Sequence, residues 1–464
     1  MSQSICLRCL ARPLASIESA VTPNAYRIAP FSTSAPLAAQ PVKKKKGAVT
    51  VTKGKQYKQG KPGGKGAARA GGGGRPPAPG ERKALRKRVV LSNSNALEVQ
   101  GLEDFTIDNA LDESKRGQVL AFSNDSVDAL RAVEAFKPTQ GWSLFRKPAT
   151  LVRNDTIGMA QVINGIEKNT VRKILYGEKG SGKSVLQLQA MAMAFVKGWT
   201  VIHIPEAQEL TIAHTSYVPQ TVGNETIYIQ PHYTASLLGA VARANHAVLT
   251  DLQLSRKHDL PIPIQSNISL ARLAELGAQD PDIAWPIFEA LWSELTSAGR
   301  PPIMFSMDSV NHIMRDSAYL TAGSNNVHAH DLALVRKFID LLSGKESLPN
   351  GGMVIAATSE SNKASSPALE YAIKRNQALA DKREVPEWNA YVRVDRRSLQ
   401  ALDGVDVWQL KGLSKEEARG IMEYYAKSGM LRGTVNESLV GEKWTLSGGG
   451  IIGELERSTI VMRV

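Results

Sequence analysis

Cysteine is almost absent from this chain. The 464 residues contain two, Cys6 and Cys9. That excludes a disulfide-built fold and a cysteine-rich metal or iron–sulfur centre. The Cys6-x-x-Cys9 pair reads as half a zinc site, but no second pair completes it. Long apolar runs are missing too. None approaches the ~20 residues that a spanning helix needs, so a soluble chain without membrane insertion is expected. Acidic residues are nearly lacking from the first 90 positions, where Glu18 and Glu81 stand against 19 Lys and Arg. That segment therefore carries +17 of the total +13, and the remainder carries −4. The high isoelectric point belongs to a basic arm, and the body is near neutral.

The basic segment has two parts. Residues 1–40 combine Arg8, Arg12 and Arg27 with Ser, Thr and a single acid, the composition of a mitochondrial transit peptide. Both cysteines fall inside it. Residues 41–88 are low in complexity, with Lys43 to Lys46, Lys/Gly repeats and Gly71 to Gly74 followed by prolines. Such a stretch cannot bury a core and is expected to be disordered. Its charge suits RNA phosphates, with counterion release supplying affinity. A solvated linker is the alternative.

Against these absences stands one octapeptide. Gly177, Glu178, Lys179, Gly180, Ser181, Gly182, Lys183 and Ser184 fit G-x-x-x-x-G-K-[ST]. The stretch Val171–Tyr176 before it reads as a strand, and Val185–Val196 after it as a helix. Strand, glycine loop and helix are the context that gives the pattern meaning. Glycines let backbone N–H groups turn inward on phosphate oxygens, and the helix N-terminus adds positive potential. Lys183 is expected to reach the β- and γ-phosphates and Ser184 to ligate Mg²⁺.

The surrounding chain reads as strands alternating with helices. Further strands are expected at 200–204, 303–307, 353–357 and 405–410, with helices within 126–136, 232–252, 268–298 and 332–342. Near-continuous apolar strands between helices predict an α/β fold with a parallel, doubly covered sheet. Residues 89–170 form a lead-in, 171–411 the nucleotide domain and 412–464 a small helical lid. The lid opens with the capping box Ser414 to Glu417, closes its first helix at Gly429, and ends in a helix through Val461.

Asp308, at the end of the third strand, is the expected metal-supporting carboxylate. Another absence then matters. Many hydrolysing ATPases carry Glu directly after that Asp, to orient the attacking water; here the residue is Ser309, a poor base. Glu206, Glu360 and Asp316 are the acids that could substitute. Thr358 and Ser359 stand where a γ-phosphate sensor would lie, and Arg393, Arg396 and Arg397 read as a basic surface. The guanine-reading Asn-Lys-x-Asp pattern is absent, since Asn362-Lys363 leads to Ala364-Ser365. The residues alone do not separate GTP or GDP from ATP.

With the loop, Asp308, the strands and the lid in view, the body resembles the AAA-like P-loop NTPases. More closely, residues 90–464 resemble the death-associated protein family of the mitochondrial ribosomal small subunit. The likeness rests on Leu144–Arg153, the loop 177–184, Ile303–Asp308 without a following Glu, and Gly412–Arg419. The resemblance implies a structural protein of the subunit head that binds a guanine nucleotide with Mg²⁺ and hydrolyses it slowly or not at all. It also implies contacts with small-subunit rRNA, neighbouring ribosomal proteins and the large subunit, in the mitochondrial matrix. Carried over by position, Gly177–Ser184 bind phosphates and Mg²⁺, and Asp308 supports the metal. The lid near Gly450–Gly453 lacks the arginine with which many AAA proteins sense nucleotide. An active matrix ATPase and a nucleotide-switched adaptor are the rival readings.

Overall fold

The computed structural model describes residues 79–265 and 267–460. The expected transit peptide, the cysteine pair and most of the basic arm lie outside the described residues. The molecule is built on five parallel strands, β1 (Thr170–Gly177), β2 (Thr200–Ile204), β3 (Ile303–Asp308), β4 (Gly352–Ala357) and β5 (Asp406–Leu410). Their spatial order is β5-β1-β4-β3-β2. Every pairing is parallel. Successive side chains point to opposite faces. Ile174, Ile202, Phe305 and Val354 thus enter one core, and Leu175, Val201, Met304 and Ile355 enter another. β2, β3 and β4 are buried along their whole length, which is why they read as near-continuous apolar runs, whereas β1 and the edge strand β5 are only partly buried.

The main helices are α1 (Pro79–Lys87), α2 (Asn154–Asn164), α3 (Lys183–Val196), α4 (Pro231–Ala244), α5 (Leu270–Gln279), α6 (Pro281–Leu295), α7 (Ala333–Ser343), α8 (Pro367–Ala380), α9 (Lys415–Lys427), α10 (Glu437–Leu446) and α11 (Ile452–Thr459), and further ones lie between them, among them Asn124–Ala132. Residues of α4 to α8 cover one face of the sheet. Those of α2, α3 and the segment around 105–142 cover the other. The edge strand β2 is guarded by Asn245. Its amide accepts from the Val201 N–H at 2.7 Å and donates to the Val201 carbonyl at 2.8 Å, as a neighbouring strand would.

A third core is separate from the sheet. Phe145 and Leu151 of the lead-in pack with Ala418, Ile421, Met422, Tyr424, Tyr425 and Leu455 of the C-terminal helices. The expected capping box is present: Glu417 N–H donates to Ser414 Oγ at 3.2 Å and Ser414 N–H to Glu417 Oε2 at 2.8 Å. The same Glu417 accepts from the Asn154 N–H at 2.7 Å, tying α9 to the start of α2. Lead-in and C-terminal helices, read separately in the sequence, thus form one packed body. The last helix ends at Thr459, short of Val461.

The basic arm was expected to stay disordered through residue 88, yet α1 is helical over Pro79–Lys87. Arg86 is buried there among three carboxylates. It donates to Glu206 at 2.7 Å and to Glu134 at 3.4 Å, and also pairs with Glu209. Arg82 donates to the same Glu206 at 2.9 Å. Composition sees a basic, glycine-flanked stretch; it does not see acids more than 100 residues downstream that fix its end. No helix among the described residues is long and apolar enough to cross a membrane.

Candidate functional site

The glycine loop lies at the carboxyl end of β1, where open parallel sheets bind ligands. Gly177, Gly180 and Gly182 have φ of +152°, +79° and +97°, a region that side chains disfavour. A Cβ on Gly177 would also lie 2.5 Å from the Leu410 carbonyl of β5. Gly182 is the N-cap of α3, so Lys183 and Ser184 open that helix. The turn leaves amide N–H groups and a helix N-terminus facing one cavity of about 420 Å³, lined on this side by Lys179, Gly180, Gly182, Lys183 and Ser184. Such a cradle suits oxyanions.

Lys183 is buried, and its ammonium donates to the carbonyls of Gly177 and Glu178, each at 2.8 Å. Burial lowers its pKa, against the pull of Glu360 and Asp308. Ser184 and Asp308 stand 124 residues apart in sequence and meet: Ser184 Oγ donates to Asp308 Oδ2 at 2.6 Å. The Ser309 N–H donates to Asp308 Oδ1 at 2.6 Å. β4 intervenes between β1 and β3, so Thr358 and Ser359 emerge between the loop and Asp308 and line the cavity. Ser359 is fixed there by its N–H, which donates to Asn311 Oδ1 at 2.8 Å.

Two cations in this site escaped the sequence reading. Lys137 donates to Ser184 Oγ at 3.2 Å and forms an ion pair with Asp308 Oδ2. Burial would raise the Asp308 carboxyl, but the ammonium of Lys137 and the Ser184 hydroxyl outweigh it and hold the group below its usual range. Arg153 donates to the Ser181 carbonyl at 2.8 Å and to the Lys411 carbonyl at 2.7 Å, clamping the loop to the segment after β5. Nothing in the sequence signals Lys137, which lies between Phe136 and Pro138. Arg153 ends the lead-in stretch that carried the resemblance, without a pattern to mark its role. Ser184 and Asp308 are hard oxygen donors of the kind Mg²⁺ takes. A divalent ion at these oxygens would take the place of the Lys137 ammonium. No cluster of three or more His, Cys, Asp or Glu among the described residues forms another metal site.

The C-terminal helices reach the loop directly. The Gly453 N–H donates to the Gly180 carbonyl at 3.0 Å, and a Cβ on Gly453 would lie 3.1 Å from Gly180 Cα. Two glycines here allow backbone to meet backbone. One turn on, α11 carries Arg457, which lines the cavity. The lid therefore has an arginine near the loop, outside the Gly450–Gly453 stretch in which it was sought. It pairs with Glu454 at 2.6 Å and is largely exposed.

Of the acids considered as substitutes for a glutamate after Asp308, only Glu360 lines the cavity, paired with Lys363 at 3.3 Å. Glu206 is engaged by Arg82 and Arg86, and Asp316 is exposed on a hairpin strand. Ser309 is buried with φ +62° and does not line the cavity. Asn362 donates to Glu206 at 2.9 Å and Gln208 at 2.7 Å, away from any base-reading role. Arg397 forks onto Asp331 on the surface.

Comparison with known proteins adds independent information. Residues 150–458 match the family model described as mitochondrial ribosomal death-associated protein 3. The chain is 46% identical over 396 residues to the small ribosomal subunit protein mS29 of Neurospora crassa, an alignment covering 84% of each. It is 23% identical over 323 residues to the protein of that name in Schizosaccharomyces pombe, covering 68% of this chain and 64% of the relative. Against the Bos taurus protein the figure is 21% over 238 residues, 49% of this chain and 58% of the relative. With its glycine loop and Asp308 strand inside the matched span, the chain belongs to the mitochondrial ribosomal death-associated protein 3 family.

Proposed function

We propose that this protein is a structural component of the small subunit of the mitochondrial ribosome, and that it holds a purine nucleotide as a structural ligand. Family membership supports the first part. The observation that carries the second is the cavity in which the turned loop 177–184, Lys183, Ser184 and Asp308 converge. We read the body as an AAA-like P-loop domain, with the phosphates on the loop amides and Lys183. Ser184 and Asp308 would hold Mg²⁺, which when bound neutralises phosphate charge. Guanine is the base that the family resemblance implies.

Turnover is expected to be slow or absent. Orienting a water requires a carboxylate beside the γ-phosphate position. Ser309 is buried and does not line the cavity, and Glu360 is paired with Lys363. The rRNA, neighbouring ribosomal proteins and the large-subunit interface are the proposed partners, the basic arm serving the RNA. Native mass spectrometry of purified small subunits tests the reading. It should find this chain in the particle with a nucleotide retained at one per copy. Particles that contain the chain without nucleotide, or a purified chain that turns over nucleotide rapidly, would refute the structural-ligand role.

A further inference from the structure

The cavity has a second half that the phosphate chemistry does not use. Trp142, Phe145, Ile421, Tyr424, Tyr425 and Ile452 line it. Phe145 stacks on Tyr425 at 5.7 Å between ring centroids and lies 5.1 Å from Tyr424. These rings pack on one another, so they leave no gap between them and instead form an apolar aromatic wall of the cavity, against which a planar ring can lie. One carboxylate faces this wall, that of Glu456 on α11. Glu456 follows Gly453, the residue bonded to the glycine loop, by one helical turn, or roughly 4.5 Å along the axis. Its carboxylate packs against the α-carbon of Gly141 in the lead-in, where a Cβ would collide with it. Glu456 therefore bridges the cavity from the C-terminal helices to the lead-in, one turn away from the phosphate cradle.

That carboxylate has no hydrogen bond or ion pair among the described residues. Its neighbour Arg457 is turned to Glu454. Burial pushes Glu456 up to about 7, with Arg457 only partly opposing. Glu456 is part-buried and lines the cavity, so an acceptor without protein donors stands where a ligand could supply them. The two purines differ in what they bring. Guanine presents N1–H and N2–H₂ side by side, two donors that match the two oxygens of one carboxylate. Adenine presents an acceptor at N1 beside its N6 donor, and against the ionised carboxylate that acceptor would face an oxygen; discrimination against adenine therefore belongs to pH above 7, where Glu456 is charged.

We propose that Glu456 is the residue that selects guanine, accepting hydrogen bonds from N1–H and N2–H₂ of a base lying in the cavity against its aromatic wall. This rests on the nucleotide reading above and gives it a specificity determinant that replaces the absent Asn-Lys-x-Asp pattern. The test is calorimetric titration at pH 8.5, where the carboxylate is ionised, of the purified full chain and its Glu456→Gln variant with GDP, ADP, IDP and 2′-deoxy-GDP. Diphosphates avoid any turnover. The wild type should prefer GDP to ADP, bind IDP more weakly for want of the N2 amine, and bind 2′-deoxy-GDP as well as GDP. Glu456→Gln should lose about 30-fold or more in GDP affinity, the scale of one charged hydrogen bond, and should bind ADP no worse. Equal losses for GDP and ADP in the variant, or a selective loss for 2′-deoxy-GDP in the wild type, would mean the carboxylate holds the ribose and would overturn the assignment. Wild-type binding of ADP as tight as GDP would overturn it also. Lys183→Ala separates the two levels of the argument. It should abolish binding of every nucleotide, whereas failure of the wild type to bind any of them would refute the nucleotide reading itself.

Discussion

Replacing Lys137 with Met removes the one cation within ion-pair reach of Asp308 among the described residues. Asp308 is 2% exposed, so its charge is left without a counter-ion in a poorly solvated place. Two hydrogen bonds remain, from Ser184 Oγ and the Ser309 N–H. Breaking a buried pair by removing one partner costs about 3–5 kcal/mol. Because Lys137 is partly exposed and the two hydrogen bonds survive, the lower end, about 3 kcal/mol, is the expected loss in EDTA. The same change clears the oxygens that Mg²⁺ would use. With Mg²⁺ and GDP at saturation the loss should shrink to below about 1 kcal/mol, since the ion replaces the missing charge, and linkage converts the gain into tighter apparent Mg²⁺ binding. Urea denaturation of wild type and variant, each in EDTA and in Mg²⁺ with GDP, measures all four corners. A loss of equal size under both conditions would refute the argument that ammonium and metal compete for one place. So would an unchanged stability in EDTA.

Glu456 makes the nucleotide-free protein sensitive to pH. Its folded-state pKa of about 7 lies above the ordinary 4.5, so folding favours the protonated form. Its contribution is complete below pH 4.5 and is lost as pH rises through 7, at a cost approaching about 3 kcal/mol. Glu456→Gln should flatten that part of the stability profile measured by urea denaturation at pH 5 and pH 8. Arg86→Ala should destabilise by about 3 kcal/mol, because Glu206, Glu209 and Glu134 are left facing one another. Arg86→Lys should recover only part of this, since one ammonium cannot fork across three carboxylates. Gly453→Ala should place a methyl against Gly180 and raise hydrogen exchange of the Gly453 amide, now bonded to the Gly180 carbonyl.

The sheet was legible chiefly because β2, β3 and β4 are buried along their whole length, which writes itself into the sequence as a short apolar run; β1 and β5 are only partly buried. The glycine loop was legible because its chemistry is local: eight consecutive residues make the turn. Asp308 was found from its place at the end of such a run. What remained hidden depends on contacts that no local pattern encodes. Lys137 reaches Asp308 across 171 positions, and Glu206 reaches Arg86 across 120. α10 was missed because it buries only Val440 fully and so lacks an apolar stripe. Glu456 was passed over because the arginine was sought nearer Gly453, and a lone glutamate on a short helix carries no signal until its neighbours are known.

The shared core of lead-in and C-terminal helices bears on how a nucleotide would leave. The cavity is walled on one side by Trp142 and Phe145 and on the other by Ile421, Tyr424, Tyr425 and Ile452. These are not two surfaces that merely face each other. Phe145, Tyr424 and Tyr425 are each less than 9% exposed and belong to one cluster with Leu151 and Leu455. Arg153 and the Gly453–Gly180 bond then hold that body to the loop. Opening the cavity therefore requires separating packed aromatic rings, each worth about 2–3 kcal/mol of burial. On the proposed function, that barrier makes release slow and suits a ligand that stays rather than one that turns over. Phe145→Ala should lower it: release of a fluorescent GDP analogue from the purified chain, chased with excess GDP, should quicken by tenfold or more. Release from the variant at the wild-type rate would mean the nucleotide leaves by another path, and that the shared core serves the fold alone.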